Sequence, residues 1–362
     1  MTQTKRPARV TSYDVALAAE VSQSTVSRCF QPDSPISPET RSHVLKVAET
    51  LGFRPNALAR SLILGRSNVI ALIATKYTLR FNPDVLYVIG DALKAQRTKL
   101  LLIPVDEDAQ THDALADALE FPLDGVIACA NLALDDIRSF QRHGVPIVMF
   151  NRQTDAPRVD SVTTDNQAGA QAMAERLHRA GHRRILCLGG PEQAPVSQLR
   201  IAAFVARMKA LGAAHLEVLH SDFSYAQGYA LMMAQGERAR SAIDAVYCAN
   251  DQLALGALDA CRYGLSLEVP ADISIVGFDD IEEAARPPYR LTTLRQPIDE
   301  LANEALRLLS SRLERPTIKA RHLSIPAVFV ERASARVADS DPTMQRQATA
   351  RDMAAKHGSD VP

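Results

Sequence analysis

Gln23, Ser24, Ser27 and Arg28 fall on one side of a short predicted helix, away from the apolar Val26 and Phe30. Short polar side chains followed by an arginine are the groups a helix needs to read base edges in a DNA major groove. Arg28 suits a bidentate pair with guanine. Tyr13, Ser22, Thr25 and Ser27 are hydrogen-bonding groups of the kind that hold phosphates, which fixes register without reading sequence. A solvated helical hairpin would show the same polar face, so the flanking elements have to decide between the two.

Those elements form an ordered set. Residues 12–19 predict a helix that buries Val15, Ala16 and Ala19. Residues 23–30 predict a second, opened by the N-cap Ser22 and burying Val26 and Phe30, with Val21 in the elbow. Residues 37–51 predict a third, with Ser37 as cap and Pro38 at its first position. Val44, Leu45, Ala48 and Leu51 lie along one side, and Gly52 ends it. Asn56 then caps a short helix carrying Leu58, Ala59, Leu62 and Ile63, flanked by Arg54, Arg60 and Arg66. That helix is too short to hold together alone in water.

The formal net charge of −1 conceals an uneven distribution. Residues 1–66 hold nine Lys/Arg against five Asp/Glu, a net +4, which leaves −5 for the rest. A basic head on a mildly acidic body suits a chain whose one end meets phosphates. The length of 362 residues allows two or three domains. The five cysteines, at 29, 129, 187, 248 and 261, are odd in number and match no metal spacing, so they read as reduced cytoplasmic thiols used as small apolar side chains. The N-terminus is basic without an apolar segment, so no signal peptide is expected, and no apolar run reaches membrane-spanning length.

From residue 68 the pattern becomes alternating α/β. Apolar runs at 69–75, 99–105, 124–130 and 146–150 alternate with amphipathic stretches at about 83–97, 111–120 and 134–143. After 159–166 and a helix at about 167–180, a second set follows. Its strands are 184–190, 216–222, 245–251 and 273–280, and its helices are about 197–211, 226–236 and 252–263. Two such sets predict two doubly wound lobes, whose ligands bind outside the carboxyl ends of the strands. The segments 291–297, 298–313 and 323–332 are placed to cross back between them. Candidate ligand residues are Phe81 and Asn82 after the first strand, Asn151 and Arg152 after the fourth, and Gln296 on a crossover. The second set adds Arg200, Phe223, Asn250, Asp251 and Asp279. Arg200 falls early in its helix, where the dipole disfavours a cation and a ligand would offset the cost. Asn250 begins a helix and reads equally as its cap.

Other signals are weaker. Gly189-Gly190-Pro191 follows a strand, but neither phosphate-binding glycine motif is present. His178 and His182 are four apart but flank the helix stop Gly181 and have no acidic partner nearby. No spacing points to nucleophilic catalysis, and neither a metal, a cofactor nor an enzymatic activity is expected.

The chain resembles the lac repressor/galactose repressor family of bacterial transcription regulators. The resemblance rests on Tyr13-Asp14-Val15-Ala16, on Val21-Ser22 with Thr25-Val26-Ser27-Arg28, and on residues 55–62 (PNALARSL), in the family's order and spacing. It covers roughly residues 9–335. One departure is Glu20, where the family usually has glycine; if that turn requires a positive φ, glutamate is strained there.

The resemblance implies a helix-turn-helix head at 9–54 and a hinge helix or linker at 55–66. It implies a periplasmic-binding-protein-like core at 67–335. Lobe 1 is then about 67–165 plus 297–324, and lobe 2 about 166–293 plus 325–335. It places Gln23, Ser24 and Arg28 at base edges, with Asn56, Ala59 and Leu62 in the hinge. Leu62 stands where relatives insert a wedge into the minor groove. The family's ligand contacts map onto Asn82, Asn151, Arg200, Phe223, Asn250, Asp279 and Gln296, set to bind a sugar or sugar acid. The expected protein is a cytoplasmic homodimer on a near-palindromic operator. Residues 336–362 are expected to form a disordered tail, without the leucine heptads by which some relatives become tetramers. Two other classes compete: a periplasmic solute-binding protein, which the two lobes also fit, and a nucleotide-using enzyme.

Overall fold

The computed structural model describes residues 10–30, 34–54, 66–106 and 112–338. The head and the two-lobed core are separate compact units.

In the head, α1 (Ser12–Ala18), α2 (Gln23–Cys29) and α3 (Pro38–Thr50) are each opened by a hydroxyl cap, from Thr11, Ser22 and Ser37. Thr11 and Asp14 complete a capping box on α1. The helices close on Val15, Ala16, Ala19, Val26, Cys29, Val44 and Ala48. One expectation fails here. Cys29 is buried at the end of α2, whereas Phe30 is half-buried and meets Phe53 edge-on at 5.7 Å. Leu45 and Leu51 remain 39% and 37% exposed. A core this small cannot cover a four-residue stripe, and the side of α3 carrying Val44 and Ala48 meets the other two helices. Arg41 ties α3 to the end of α2 by donating to the Cys29 and Ser34 carbonyls.

The turn after α1 accounts for Glu20. Val21 N–H donates to the Ala16 carbonyl and Glu20 N–H to that of Leu17, with Glu20 at φ 56°. This is a Schellman ending, whose penultimate residue must be left-handed. The same ending recurs after α3, where the left-handed position is Gly52, φ 66°.

The first lobe runs β1 (Val69–Thr75), α4 (Lys76–Phe81), α5 (Asp84–Ala95), β2 (Lys99–Val105) and α6 (His112–Ala118). It continues through β3 (Gly125–Cys129), α7 (Leu134–Arg142), β4 (Ile147–Phe150) and β5 (Asp160–Asp165). The second holds α8 (Asn166–Arg179), β6 (Arg184–Gly189), α9 (Pro195–Ala210), β7 (His215–His220), α10 (Tyr225–Met233) and α11 (Arg238–Ser241). It continues through β8 (Ala245–Cys248), α12 (Asp251–Asp259), β9 (Ser274–Val276), α13 (Glu282–Ala285) and β10 (Thr293–Arg295). The chain ends in α14 (Ile298–Glu314), β11 (His322–Pro326) and β12 (Val328–Val330).

The first sheet has the order β11-β5-β4-β3-β1-β2 and the second β7-β6-β8-β9, all parallel. In both, the order reverses beside the first strand, which opens a crevice at the carboxyl ends. The inner strands β1, β3, β4 and β8 are buried on both faces, the reason their sequences read as continuous apolar runs.

The chain crosses between lobes three times. It leaves the first sheet at Asp165–Asn166. It returns at Gln296–Pro297 into α14, which packs on α5 and on β3, β4 and β5. It leaves again after Pro326, since β11 pairs with β5 and β12 with β10. The pairing carries the first lobe to Pro326 and the second to Arg295, two residues beyond the spans drawn from sequence. Asp160, fully buried, accepts from Arg312 at 2.7 Å and Arg321 at 3.0 Å, locking α14 to β5. The end of the core also differs from expectation. Arg336 N–H donates to Ser274 Oγ and Ala338 N–H to the Arg176 carbonyl, so ordered contacts reach residue 338. Residues 339–362 lie outside the described ones.

Replacing Glu20 with glycine should relieve the left-handed strain and stabilise the head by about 1 kcal/mol, net of glycine's greater entropy when unfolded. Stronger amide-exchange protection at Val26 and Val44 in the full chain would register it. Unchanged or weaker protection would mean that the turn holds glutamate without strain.

Candidate functional site

On the head, Tyr13, Ser22, Gln23, Ser24 and Arg28 are exposed, and Thr25 and Ser27 are half-buried. Ser22 is occupied as the cap: its hydroxyl accepts Thr25 N–H and pairs with the hydroxyls of Ser24 and Thr25 at 2.8 Å each. Gln23 Nε2 donates to Ser12 Oγ across the turn at 3.2 Å. The α2 face thus carries Gln23, Ser24 and Arg28 at the surface, while Val26 and Cys29 hold the opposite face to the core. Asn56, Ala59 and Leu62 lie outside the described residues.

In the core, a cavity of about 640 Å³ opens where the carboxyl ends of the two sheets face each other. Asn82, Asn151, Arg152, Arg200, Phe223, Asn250, Asp279 and Gln296 all line it. Phe81 ends α4, and its side chain is outside the described ones.

Arg200 is 3% exposed and held from several sides. Its Nε donates to Asn166 Oδ1 at 2.7 Å; Nη1 donates to the Ala249 carbonyl at 2.7 Å and to Asp279 Oδ1 at 2.9 Å. The guanidinium lies over the Phe278 ring at 3.6 Å. The compensation expected from a ligand is therefore supplied by the protein. Gln296 Nε2 donates to the same Asp279 oxygen at 2.6 Å, and its Oε1 accepts from Asn151 Nδ2 at 2.7 Å and Thr164 Oγ1 at 3.0 Å. One amide joins Asn151 and Thr164 of the first lobe to Asp279 of the second.

Asn250 caps α12, accepting Leu253 N–H, and its Nδ2 donates to the Phe223 carbonyl. Its cap role, left open by the sequence, is filled, and it adds a brace for Phe223. The Cζ–Cε edge of the Phe223 ring lies against Gly190, where a Cβ would come within 2.2 Å of it. Glycine is required there by close approach, not by a phosphate. Tyr77, from α4 on the opposite lobe, meets Phe223 edge-on at 6.4 Å. Arg152 Nη1 donates to the Asn151 carbonyl at 2.8 Å. Burial pushes the thiol of Cys129, which also lines the cavity, up to about 12 against the pull of Arg152.

Burial pushes the carboxyls of Asp251 and Asp279 up. Asp251 reaches about 7, with the neighbouring Asp279 charge adding to the effect of burial. The Arg200 charge and the hydrogen bonds from Gln296 and Arg200 pull Asp279 back against that rise. Asp251 is not among the residues lining the cavity: it accepts Thr293 Oγ1–H at 2.6 Å and Ile281 N–H at 3.0 Å.

Sequence reasoning missed Tyr77, Asn131 and Gln193 in the lining, and Thr164 and Asn166 behind it. Asn166 follows β5 at the start of α8, and that polar residue at a strand-to-helix join was the available signal. Among the described residues no cluster of His, Cys, Asp and Glu could hold a metal. Nor is any helix among them long and apolar enough to cross a membrane.

Residues 11–56 match the family described as bacterial regulatory proteins, lacI family, and residues 174–335 match a periplasmic binding protein-like domain. The HTH-type transcriptional regulator CelR of Thermobifida fusca is 30% identical over 91% of this chain and 99% of its own length. The chain belongs to the lacI family. Its head is that family's helix-turn-helix and its core the family's two-lobed domain, so it is a transcription regulator and not an enzyme. The structure is similar to the lac repressor dimer bound to operator and the anti-inducer ONPF. That TM-score is 0.81 at 26% identity, over 91% of this chain and 100% of that one. The transcriptional regulator CelR–cellobiose complex matches at a TM-score of 0.65 and 29% identity, over 90% and 100%.

An acid whose pKa is higher folded than unfolded holds its proton more tightly in the fold. The stability this gives is complete below about 4, declines as pH rises, and is gone above about 7 for Asp251. Asp251→Asn should therefore remove a decline on the order of 1 kcal/mol per pH unit across that window. Parallel denaturation curves of variant and wild type at every pH would show that Asp251 does not titrate there.

Proposed function

We propose that this lacI-family protein is a homodimeric repressor of a near-palindromic operator, controlled by a sugar or sugar acid in the interlobe cavity. The observation carrying this reading is the pairing, in one chain, of an exposed Gln23-Ser24-Arg28 face with a cleft holding Arg200, Asp279 and Gln296 beside the Phe223 ring. Asp279 offers an acceptor for ligand hydroxyls, Arg200 a donor, the amides further donors and acceptors, and Phe223 an apolar face for a sugar ring. Arg152 on the opposite lobe tilts the choice toward an acid. The sugar ligand named for CelR supports the same chemistry.

On DNA, Gln23, Ser24 and Arg28 read base edges, while Tyr13, Ser22, Thr25 and Ser27 meet phosphates. Asn56, Ala59 and Leu62 belong to a hinge whose Leu62 enters the minor groove once a dyad pairs two copies. Ligand in the cleft changes the lobe angle and with it the folding of the paired hinges. A coupling of roughly 1–3 kcal/mol moves operator affinity several-fold to about a hundredfold. The protein acts in the cytoplasm.

A gel-shift titration against DNA from around its own gene, with random DNA as competitor, tests the assignment. Indistinguishable binding at physiological salt would sink it. Within specific binding, Arg28→Ala should cost about 1–3 kcal/mol at one base pair per half-site. A uniform loss over all sequences would make Arg28 a phosphate contact instead. A calorimetric or thermal-shift screen of sugars, sugar acids and purines identifies the effector. Arg200→Ala should then abolish the effector response with operator binding retained, and unchanged ligand affinity would remove Arg200 from the site.

A further inference from the structure

The hydrogen bonds behind the cavity close on themselves. Thr164 Oγ1 donates to Gln296 Oε1, and Gln296 Nε2 donates to Asp279 Oδ1. Arg200 Nη1 donates to that same oxygen, and Arg200 Nε donates to Asn166 Oδ1. Asn166 Nδ2 returns to the Thr164 carbonyl at 3.0 Å. Every member is at most 7% exposed except Asp279, whose side chain is 9% exposed. Two members stand on crossovers: Asn166 on the first and Gln296 on the second. The ring therefore joins two of the crossover segments to Arg200 and Asp279, two of the charged groups that line the cavity.

We propose that Asn166 is a positioning residue for Arg200, and that Asn166 and Gln296 together clamp the lobes at one angle before a ligand enters. The clamp works by geometry. Asn166 is the acceptor for Arg200 Nε and simultaneously a donor to the first crossover strand, so Arg200 cannot swing without disturbing that strand. Gln296 is a donor toward the second lobe and an acceptor toward the first. A ligand that takes hydrogen bonds from Asp279 or Arg200 enters a closed circuit and is felt at both crossovers. The proposal rests on the effector cleft only for what enters it. Its test needs no ligand, so its failure leaves the repressor assignment standing.

The full-length chain serves as it is. Asn166→Ala and Gln296→Glu should each speed amide exchange at 163–167 and 295–298 by about tenfold or more at about pH 8, with β3 and β6 unaffected. Gln296→Glu carries a second readout. Its introduced carboxyl faces Asp279, with Arg200 beyond that oxygen, Asp251 behind and Arg152 on the first-lobe side. Ionised, it repels Asp279; protonated, it donates as the amide did. Burial and the Asp279 charge raise its pKa, so the thermal-stability deficit against wild type should be small at about pH 5 and grow toward about pH 8. Thr164→Val, which removes only the ring hydroxyl, should speed exchange at 295–298 more mildly and serves where Asn166→Ala fails to fold. Unchanged crossover exchange, faster exchange spread evenly through both lobes, or a deficit independent of pH would each overturn the clamp.

Discussion

A carboxylate removed from water must be paired, and Asp279 imposes that requirement where the two lobes meet. Its side chain is nine-tenths buried, and one oxygen takes both the Arg200 guanidinium and the Gln296 amide. Leaving either charge alone in this setting would cost several kcal/mol. Arg200 is accordingly also fixed by Asn166, by the Ala249 carbonyl and by the Phe278 face. The cavity thus receives charged groups already oriented by the protein, which lowers the ordering cost of any ligand they recognise.

Three of the ten left-handed non-glycine residues among the described ones stand in the cavity lining. Asn151, Phe223 and Asp279, three of the residues lining the cavity, have φ of 50°, 68° and 125°. None is glycine, and each ends the strand or loop that delivers its side chain. Strained conformations persist where surrounding structure over-determines them, and they cluster where binding is done. Here the restraints are visible: Asn151 is held through both ends of its amide, Phe223 by Gly190 and Asn250, and Asp279 by its hydrogen bond to the Leu294 carbonyl. Glu20 is a different case. Its left-handed φ closes a helix rather than orienting a ligand group, and Gly52 performs the same task in the same head without a side chain.

The inner strands were legible because burial on both faces leaves unbroken apolar runs, and β1 occupies the very residues its run spans; the edge strand β2 also matches its apolar run although it is only partly buried. The head helices were legible from their hydroxyl caps. Side-chain exposure was not. Leu45 and Leu51 share a stripe with Val44 and Ala48, yet which members are covered depends on how much surface the neighbouring helices provide. The short helix α4 was missed because a strand ending in Thr75 gives no periodic signal; its hydroxyl starts the helix by accepting Thr78 N–H. Tyr77 went unseen with it, and its meeting with Phe223 depends on the approach of the opposite lobe.

From the sequence alone came the doubly wound lobes, the helix-turn-helix head with its exposed polar face, and eight of the residues that line the cavity. These follow from periodicity, caps and motif spacing, which are local properties of the chain. The tertiary structure decided what those residues do to one another. That Arg200 is neutralised by Asp279, that Asn250 is spent on a cap and on Phe223, and that Gln296 joins the lobes depend on contacts between residues as far as 145 positions apart. Asn166 shows the difference most clearly. In sequence it is an asparagine at the start of a helix. In the fold it holds the guanidinium of Arg200, because the second lobe brings α9 against α8. No local pattern carries that information, since the partner is chosen by packing.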